Sequence, residues 1–206
     1  MTKKERAKIV MTELEKIYPE VPIPLNHRNA YELLVAVALS AQTTDKKVNE
    51  VTPKLFSVAP NPEKMASLEE PEIKELIKEI GLSTTKAKNL KLMANQLLER
   101  HNGEVPSNFE DLENLAGVGH KTASVVMSQA FGVPAFPVDT HIHRLMKQWK
   151  LTEGKNVVQT ENDAKKLFPK ETWNKLHLQI IFYGREYSPA RGNQEKDYLT
   201  KMIFEK

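Results

Sequence analysis

The chain has 206 residues, a formal net charge of +3 and a pI of about 8.9. That length is enough for one sizeable core or for two small lobes. There is no cysteine, which excludes a disulfide framework, a thiolate metal site and a cysteine nucleophile. The mildly basic charge is compatible with DNA binding but fits an ordinary soluble protein equally well. No apolar run is long enough to span a membrane, and no apolar signal core follows MTKKERAK. We therefore expect a cytoplasmic protein, nucleoid-associated if its source is bacterial.

Helical periodicity recurs along the whole chain, whereas strand patterns are nearly absent, which predicts an all-α fold. Residues 3–18 form an amphipathic helix pattern that is ended by three prolines at positions 19, 22 and 24. Residues 29–41, NAYELLVAVALSA, are apolar on most faces, so this helix is predicted to be central and buried. A short helix is predicted with Asn61 as N-cap and Pro62 at its first position, and another at the C-terminus with Leu199, Met202 and Ile203. The remaining predicted helices are 48–58, 73–80, 87–101, 107–115, 120–130, 140–150, 161–168 and 172–187.

A glycine hairpin, Gly117-Val118-Gly119, separates two of these helices. Ser107 and Glu110 form a capping-box pattern at the start of the first helix. The two glycines permit positive φ and a close backbone approach, and the start of the second helix offers N–H groups to a phosphate. By itself, the hairpin fits an ordinary turn between two helices better. A dinucleotide-binding interpretation fails because no strand-like segment precedes the glycines.

The motif GVGHKTA, followed at a fixed distance by VDTHIHR, gives this region a more specific meaning. The combination closely resembles the helix-hairpin-helix DNA glycosylases, specifically the endonuclease III group of base-excision repair enzymes. The resemblance extends to residues 39–45 (LSAQTTD), residues 80–82 (IGL), Pro134 and residues 183–185 (YGR). It covers nearly the whole chain, up to about Arg191.

The resemblance implies an architecture of two helical lobes with a DNA-binding groove between them. One lobe, of six helices, would cover residues 23–133 and contain the helix-hairpin-helix at about 107–131. The other would combine residues 1–22 with residues 134–206. The implied partner is double-stranded DNA with a damaged base or an abasic site, bound by a monomer.

Lys121 lies in the first turn of the helix after the hairpin. A free lysine is protonated at neutral pH and is a poor nucleophile, but the helix dipole and partial burial would both disfavour its charged form. An activated amine suits Schiff-base chemistry. Taken without its context, Lys121 fits a surface lysine better. The resemblance implies that it is the catalytic nucleophile of a glycosylase that is also a lyase.

Asp139 begins the VDTHIHR motif's helix and needs no explanation beyond an N-cap role. The resemblance implies that its carboxylate also stabilises the cationic sugar as the glycosidic bond breaks. His141 matches a family residue near the active site, and we expect it to support Asp139, with Asp45 as a second supporting residue.

The resemblance also implies a set of DNA contacts. Gln42 would fill the space that the extruded nucleotide leaves, and Leu82 would wedge between bases of the opposite strand. Without the family match, a helix-end amide and a packed loop leucine would explain both residues. The expected hairpin contacts to DNA are Gly117, Val118, Gly119, His120 and Thr122. Further phosphate contacts, for which a solvated charged face is nearly as good an explanation, are Lys86, Lys88, Lys91, Arg144 and Lys147.

No metal or cofactor is expected. His141 and His143 are two residues apart and would face different sides of a helix, which argues against a zinc site. Many endonuclease III relatives bind a four-iron cluster through four C-terminal cysteines. The matching positions here hold Ser188, Glu195, Tyr198 and Phe204, so no iron–sulfur cluster is predicted. The hairpin also has Ala116 in place of a usual proline and His120 in place of a common arginine.

Three functional hypotheses remain. The first is a bifunctional DNA glycosylase and AP lyase for oxidised pyrimidines and abasic sites. The second is a glycosylase of the same family with another preference, such as uracil or thymine in mismatches. The third is a non-catalytic helix-hairpin-helix DNA-binding protein, which the missing cluster ligands favour and the presence of both Lys121 and Asp139 disfavours.

Overall fold

The computed structural model describes residues 1–192 and 194–204, and throughout those residues its regular secondary structure is helical. The all-α prediction is therefore confirmed. The chain divides into two compact units, one formed by Ile23–Gly132 and the other by Met1–Pro22 together with Val133–Lys206. Among the described residues, none of the helices is both long and apolar enough to cross a membrane.

The continuous unit is built around α2 (Ala30–Leu39), whose side chains are almost all buried. Leu33, Leu34 and Leu39 are fully inaccessible to solvent. The helices that pack around this apolar helix are α3 (Asp45–Val58), α6 (Ser83–His101) and α8 (His120–Phe131). The prediction of a central, buried helix here is confirmed. The unit contains seven helices, where the resemblance implied six. The other six are α3 (Asp45–Val58), α4 (Pro62–Ser67), α5 (Glu70–Leu76), α6 (Ser83–His101), α7 (Phe109–Glu113) and α8 (His120–Phe131).

Side-chain caps mark the starts of α2, α3, α4 and α7 in this unit. Asn61 caps α4 by accepting a hydrogen bond from the Lys64 N–H at 2.9 Å, with Pro62 at the first helical position, as predicted. The predicted capping box of α7 is wrong, because Asn108 and not Ser107 is its N-cap. Asn108 accepts from the Asp111 N–H at 2.8 Å and also donates to the Asp111 carboxylate at 2.7 Å. This second bond favours the later start and a shorter helix.

The discontinuous unit combines the N-terminal helix with the C-terminal third of the chain. Its core contains Phe136, Trp149 and Tyr183, all fully buried, and α1 contributes Val10 and Leu14 to the same cluster. Its helices are α1 (Lys3–Ile17), α9 (Thr140–Gln148), α10 (Val157–Leu167), α11 (Trp173–Glu186) and α12 (Tyr198–Phe204), with a 3₁₀ turn at Lys170–Thr172.

A buried carboxylate ties α12 to the rest of this unit. Asp197, which is 3% exposed, accepts hydrogen bonds from the Tyr183 hydroxyl and from Gln148 Nε2, both at 2.7 Å. The Tyr183 oxygen in turn accepts from the Leu199 N–H at 3.0 Å. Ser188, at the first of the four predicted cluster-ligand positions, is fully buried and bonded to Arg144. The C-terminal segment is thus held by hydrogen bonds and packing of its own side chains.

Candidate active site and DNA-binding loops

The two glycines of the hairpin have different conformations and surroundings. Gly117 has φ +75°, and a Cβ at this position would lie 3.1 Å from the Asn89 Cβ, so both conformation and space require glycine. Gly119 has φ −92°, which any residue can adopt, so the positive φ that a glycine permits is not used at this position. A Cβ at Gly119 would meet nothing within 4 Å. The surface beside Gly119 is therefore open to a ligand that approaches the backbone.

The first turn of α8 is left without a side-chain cap, because its N-cap residue is Gly119. Two hydrogen bonds hold the hairpin against its own unit: the Ala116 N–H donates to Gln96 Oε1 at 2.7 Å, and the Val118 N–H donates to the Leu115 carbonyl at 3.2 Å. Val118 is 7% exposed, so its side chain anchors the hairpin in the core. An uncapped helix start of this kind is suited to an anionic ligand.

His120 is engaged by the neighbouring helix. Its Nδ1 lies 2.6 Å from Glu113 Oε1, and its ring stacks on Phe109 with centroids 5.7 Å apart. The His120 side chain is 53% exposed, so part of the imidazole ring still faces solvent. A carboxylate so close to the hairpin opposes the attraction of a phosphate. Thr122, in the same turn, is half-buried.

Lys121 is the second residue of α8 and is exposed, so the predicted partial burial is wrong. The physical reason is the orientation of the helix. The stripe formed by Ala123, Val126 and Met127 faces the core, and Lys121 lies outside that stripe. The amine is therefore presented to solvent directly after the open hairpin.

Asp139 is the N-cap of α9, as predicted, and is half-buried. Its Oδ1 accepts a hydrogen bond from the Ile142 N–H at 2.8 Å, and Ile142 is fully buried in the core of the unit. The cap fixes the carboxylate in one orientation. Within the described residues, Oδ2 is left to accept from another donor.

His141 and His143 have separate environments. Gly184 makes room for His141, because a Cβ at Gly184 would lie 3.0 Å from His141 Nδ1. His143 Nδ1 lies 2.8 Å from Thr160 Oγ1. In residues 1–192 and 194–204, no group of three or more His, Asp or Glu side chains is placed to hold a metal ion.

Gln42 and Leu82 share an uncommon backbone conformation, with φ +55° and +61° respectively. This left-handed conformation costs a residue other than glycine about 1–2 kcal/mol. Both side chains are exposed, Leu82 to 58%. Strain of this kind is concentrated at functional sites, where the surrounding structure maintains it. Asp45 follows in the first turn of α3 and is half-buried.

Three of the five cations predicted to contact phosphates are bonded within the protein. Lys86 is 7% exposed and donates to three oxygens of the chain. Lys91 donates to the carbonyls of Ala66 and Leu68, and Arg144 to Ser188. Most of these oxygens are carbonyl groups at or near helix ends, which lack partners within their own helix. The phosphate contacts of the three cations stay a prediction. Lys88 and Lys147 are exposed.

Sequence reasoning missed Asn89 under Gly117 and Glu113 beside His120, and it named Lys86 only as a phosphate contact. Their partners are distant in sequence or lie on another helix, so no local pattern indicates them. Gly184 belongs to the family motif at residues 183–185, but its role in accommodating His141 depends on how α11 packs against α9.

Comparison with known proteins agrees with this arrangement. Residues 35–170 match the family model of the HhH-GPD superfamily base excision DNA repair proteins. Endonuclease III of Haemophilus influenzae is 44% identical over 191 residues, which cover 93% of this chain and 90% of that protein. A solved structure of a trapped endonuclease III–DNA covalent intermediate has a TM-score of 0.91 and 40% identity, and covers 94% of this chain and 92% of that one. A non-covalent endonuclease III–DNA complex has a TM-score of 0.92 and 38% identity, and covers both chains fully. The chain therefore belongs to the endonuclease III family of the HhH-GPD superfamily, whose members are DNA glycosylases and AP lyases of base-excision repair.

Proposed function

We propose that this protein carries out both the glycosylase and the lyase reaction through Lys121 and Asp139, and that its substrates are oxidised pyrimidines and abasic sites in double-stranded DNA. The observation that carries the proposal is the placement of Lys121. Its amine is exposed in the first turn of α8, immediately after a hairpin whose backbone is open to a phosphate. We infer that a phosphate bound at this hairpin brings the sugar of the DNA backbone within reach of the Lys121 amine.

The reaction begins with extrusion of the damaged nucleotide from the base stack. The Lys121 amine, after losing a proton, attacks C1′ of the sugar and displaces the damaged base. The base departs with the C1′–N bond pair and takes up a proton, which leaves C1′ bonded to both Lys121 Nζ and the ring oxygen O4′. Cleavage of the C1′–O4′ bond then opens the sugar, O4′ takes up a proton, and the nitrogen lone pair forms a protonated Schiff base between Lys121 Nζ and C1′. Loss of a proton from C2′ then permits β-elimination of the 3′ phosphate, which cleaves the strand.

Asp139 acts on the charge that develops at the sugar. The transition state for glycosidic bond cleavage resembles an oxocarbenium ion, which a fixed carboxylate stabilises. The N-cap bond from the Ile142 N–H holds Oδ1 in place, so the carboxylate is oriented before the substrate arrives. His141 and Asp45 are proposed to support this carboxylate and its surroundings.

The DNA is bound through two kinds of contact. The N–H groups at the start of α8 and the hairpin residues Gly117 and Gly119 bind a phosphate through the backbone. Gln42 and Leu82 enter the base stack, one at the vacated position and the other on the opposite strand. A trapped covalent intermediate with DNA is known for a relative 40% identical to this chain, which supports a covalent mechanism here.

Borohydride trapping tests the proposal. Wild type and Lys121→Gln are incubated with duplexes carrying thymine glycol or an abasic site, and the imine is reduced to a stable amine. We expect a covalent complex with wild type and none with Lys121→Gln. Lys166→Gln, which removes an exposed lysine from α10, is the matched control and should trap normally.

Failure of wild type to trap, with tight duplex binding intact, would refute the lyase chemistry. Measuring base release from the thymine glycol duplex would then separate a glycosylase without lyase activity from a DNA-binding protein. Trapping on the abasic duplex alone would refute the preference for oxidised pyrimidines, and duplexes with uracil or mismatched thymine would test the alternative preference.

A further inference from the structure

The segments that carry Gln42 and Leu82 lie next to each other in the continuous unit. Gly81 directly precedes Leu82, and a Cβ at Gly81 would lie 3.9 Å from the Gln42 carbonyl oxygen. Both residues have a left-handed backbone and an exposed side chain. Neither conformation is favourable for a side chain larger than glycine, so neighbouring groups must maintain both.

Lys86 is bonded to both segments. Its backbone N–H donates to the Leu82 carbonyl at 3.0 Å. Its Nζ donates to the Leu39 carbonyl at 3.0 Å, to the Ala41 carbonyl at 2.6 Å and to Thr43 Oγ1 at 3.2 Å. An ammonium group has three donors, and these bonds use all three.

The position of the three acceptors is informative. Ala41 and Thr43 flank Gln42 directly, and Leu39 is the last residue of α2. The cation therefore binds the backbone carbonyl before Gln42 and the side-chain hydroxyl of the residue after it, and it also binds a carbonyl at the negative end of a helix. All three acceptors are neutral oxygens, and burial lowers the pKa of Lys86. A buried lysine is an unfavourable choice for packing alone, because an apolar side chain would fill the space without the cost of desolvating a charge.

We propose that Lys86 is a positioning residue that joins the two DNA-inserting segments into one rigid edge, so that Gln42 and Leu82 enter the duplex together. The inference rests on the proposed DNA contacts of those two residues. Lys86 itself touches neither base nor sugar, and it acts through its hydrogen bonds to residues 39–43. Without Lys86, Gln42 is free to leave its left-handed conformation and no longer faces the vacated position.

A double-mutant cycle between Lys86→Met and Gln42→Ala tests this role. The rate of borohydride-trapped complex formation on a thymine glycol duplex is measured under single-turnover conditions. Because misplacement of a contact by about 1 Å is costly, we expect Lys86→Met to slow trapping by about ten-fold or more. The double variant should be no slower than Gln42→Ala. Lys54→Met, which removes an exposed lysine from α3 of the same unit, is the matched control and should react at the wild-type rate.

The proposal would be overturned if the trapping rate of the double variant fell by the product of the two single-variant losses. A wild-type trapping rate for Lys86→Met would also overturn it. If Gln42→Ala itself has no effect, the proposed DNA contact of Gln42 fails. Amide hydrogen exchange then decides the role of Lys86 separately. Faster exchange of the Thr43 amide, which donates to the Ser40 carbonyl at 3.1 Å, with unchanged exchange in α8, supports the positioning role. Unchanged exchange at Thr43 overturns it.

A second variant, Thr43→Val, tests the same role in case Lys86→Met does not fold. Thr43→Val removes one of the three acceptors and leaves Lys86 in place, so it should raise exchange in the same segment to a smaller extent and slow trapping in the same direction. If Lys86→Met does not fold, Thr43→Val carries the test. Wild-type exchange and a wild-type trapping rate in this variant would overturn the inference.

Discussion

The carboxylate of Asp139 combines a structural contact with a proposed chemical role. Oδ1 caps α9 through the Ile142 N–H, and the negative charge is proposed to stabilise the sugar cation. These roles depend on different properties of the side chain. The cap requires only an oxygen that accepts a hydrogen bond, whereas the chemistry requires the charge. Asparagine preserves the first property and removes the second.

Asp139→Asn should therefore separate the two roles. Since Asn caps helices about as well as Asp, the free energy of unfolding should change by less than about 0.5 kcal/mol. The rate of base release should fall at least about a hundred-fold, because a fixed charge beside the transition state is lost. Asp139→Ala should lose the same activity and, in addition, about 1 kcal/mol of stability. Urea unfolding and single-turnover base release measure both effects. Near-normal base release by Asp139→Asn would contradict the proposed electrostatic role.

At the scale of an element, the attachment of α12 depends on one buried cluster of polar groups. Asp197 accepts from Tyr183, from Gln148 and from Thr200, and Tyr183 accepts from the Leu199 N–H. The Tyr183 ring also stacks on Tyr187 at 5.1 Å between centroids. A carboxylate suits this position because it only accepts, and every neighbour offers it a donor. The chain has no cysteine with which to bind a cluster at this end of the molecule.

Tyr183→Phe should loosen this attachment. It leaves the Leu199 N–H without its acceptor in a buried environment, which should lower the free energy of unfolding by about 1–3 kcal/mol. Tyr18→Phe is the matched control, because its hydroxyl bonds to exposed Glu186 and should cost less. Chemical denaturation at neutral pH measures both. If both variants lost the same free energy of unfolding, the hydrogen bonds around Asp197 would not have the importance assigned to them.

The same variant has a pH signature. Burial, followed by the contact with Asp197, raises the pKa of the Tyr183 phenol in the folded protein. The unfolded chain loses this proton near its ordinary pKa of about 10. The stabilisation from Tyr183 is thus complete below pH about 10 and falls as pH rises toward the folded pKa. The stability difference between wild type and Tyr183→Phe should shrink above that pH.

At the scale of the whole molecule, the sequence predicts what local patterns control. The apolar pattern of α2 requires burial, and the N-cap position of Asp139 follows from the residues around it. The left-handed backbone of Gln42 and Leu82 was not predicted, because local propensity disfavours it and only tertiary contacts maintain it. The internal bonds of the Lys86 side chain were not predicted, for the same reason. The acceptors of its side chain lie more than forty residues earlier in the chain, where no periodic pattern connects them.

These internal bonds also limit how the whole protein attracts DNA. A net charge of +3 is modest, and Lys86, Lys91 and Arg144 are bonded to carbonyl and hydroxyl oxygens of the protein. Of the five cations predicted to contact phosphates, Lys88 and Lys147 remain exposed. Lys88 directly precedes Asn89, whose side chain lies against the hairpin glycine Gly117. We therefore expect Lys88 to contribute directly to phosphate binding.

The dependence of duplex affinity on salt tests this expectation. Each phosphate neutralised by a protein cation contributes about −0.9 to the slope of log K against log salt concentration. Lys88→Gln should therefore make the slope shallower by about one and weaken binding similarly for every sequence. Lys166→Gln removes the same charge from an exposed position on α10 and should leave the slope unchanged. If both variants weaken binding and make the slope shallower to the same extent, the attraction comes from net charge at a distance. In that case the phosphates are bound by the backbone of the hairpin and the start of α8, without Lys88.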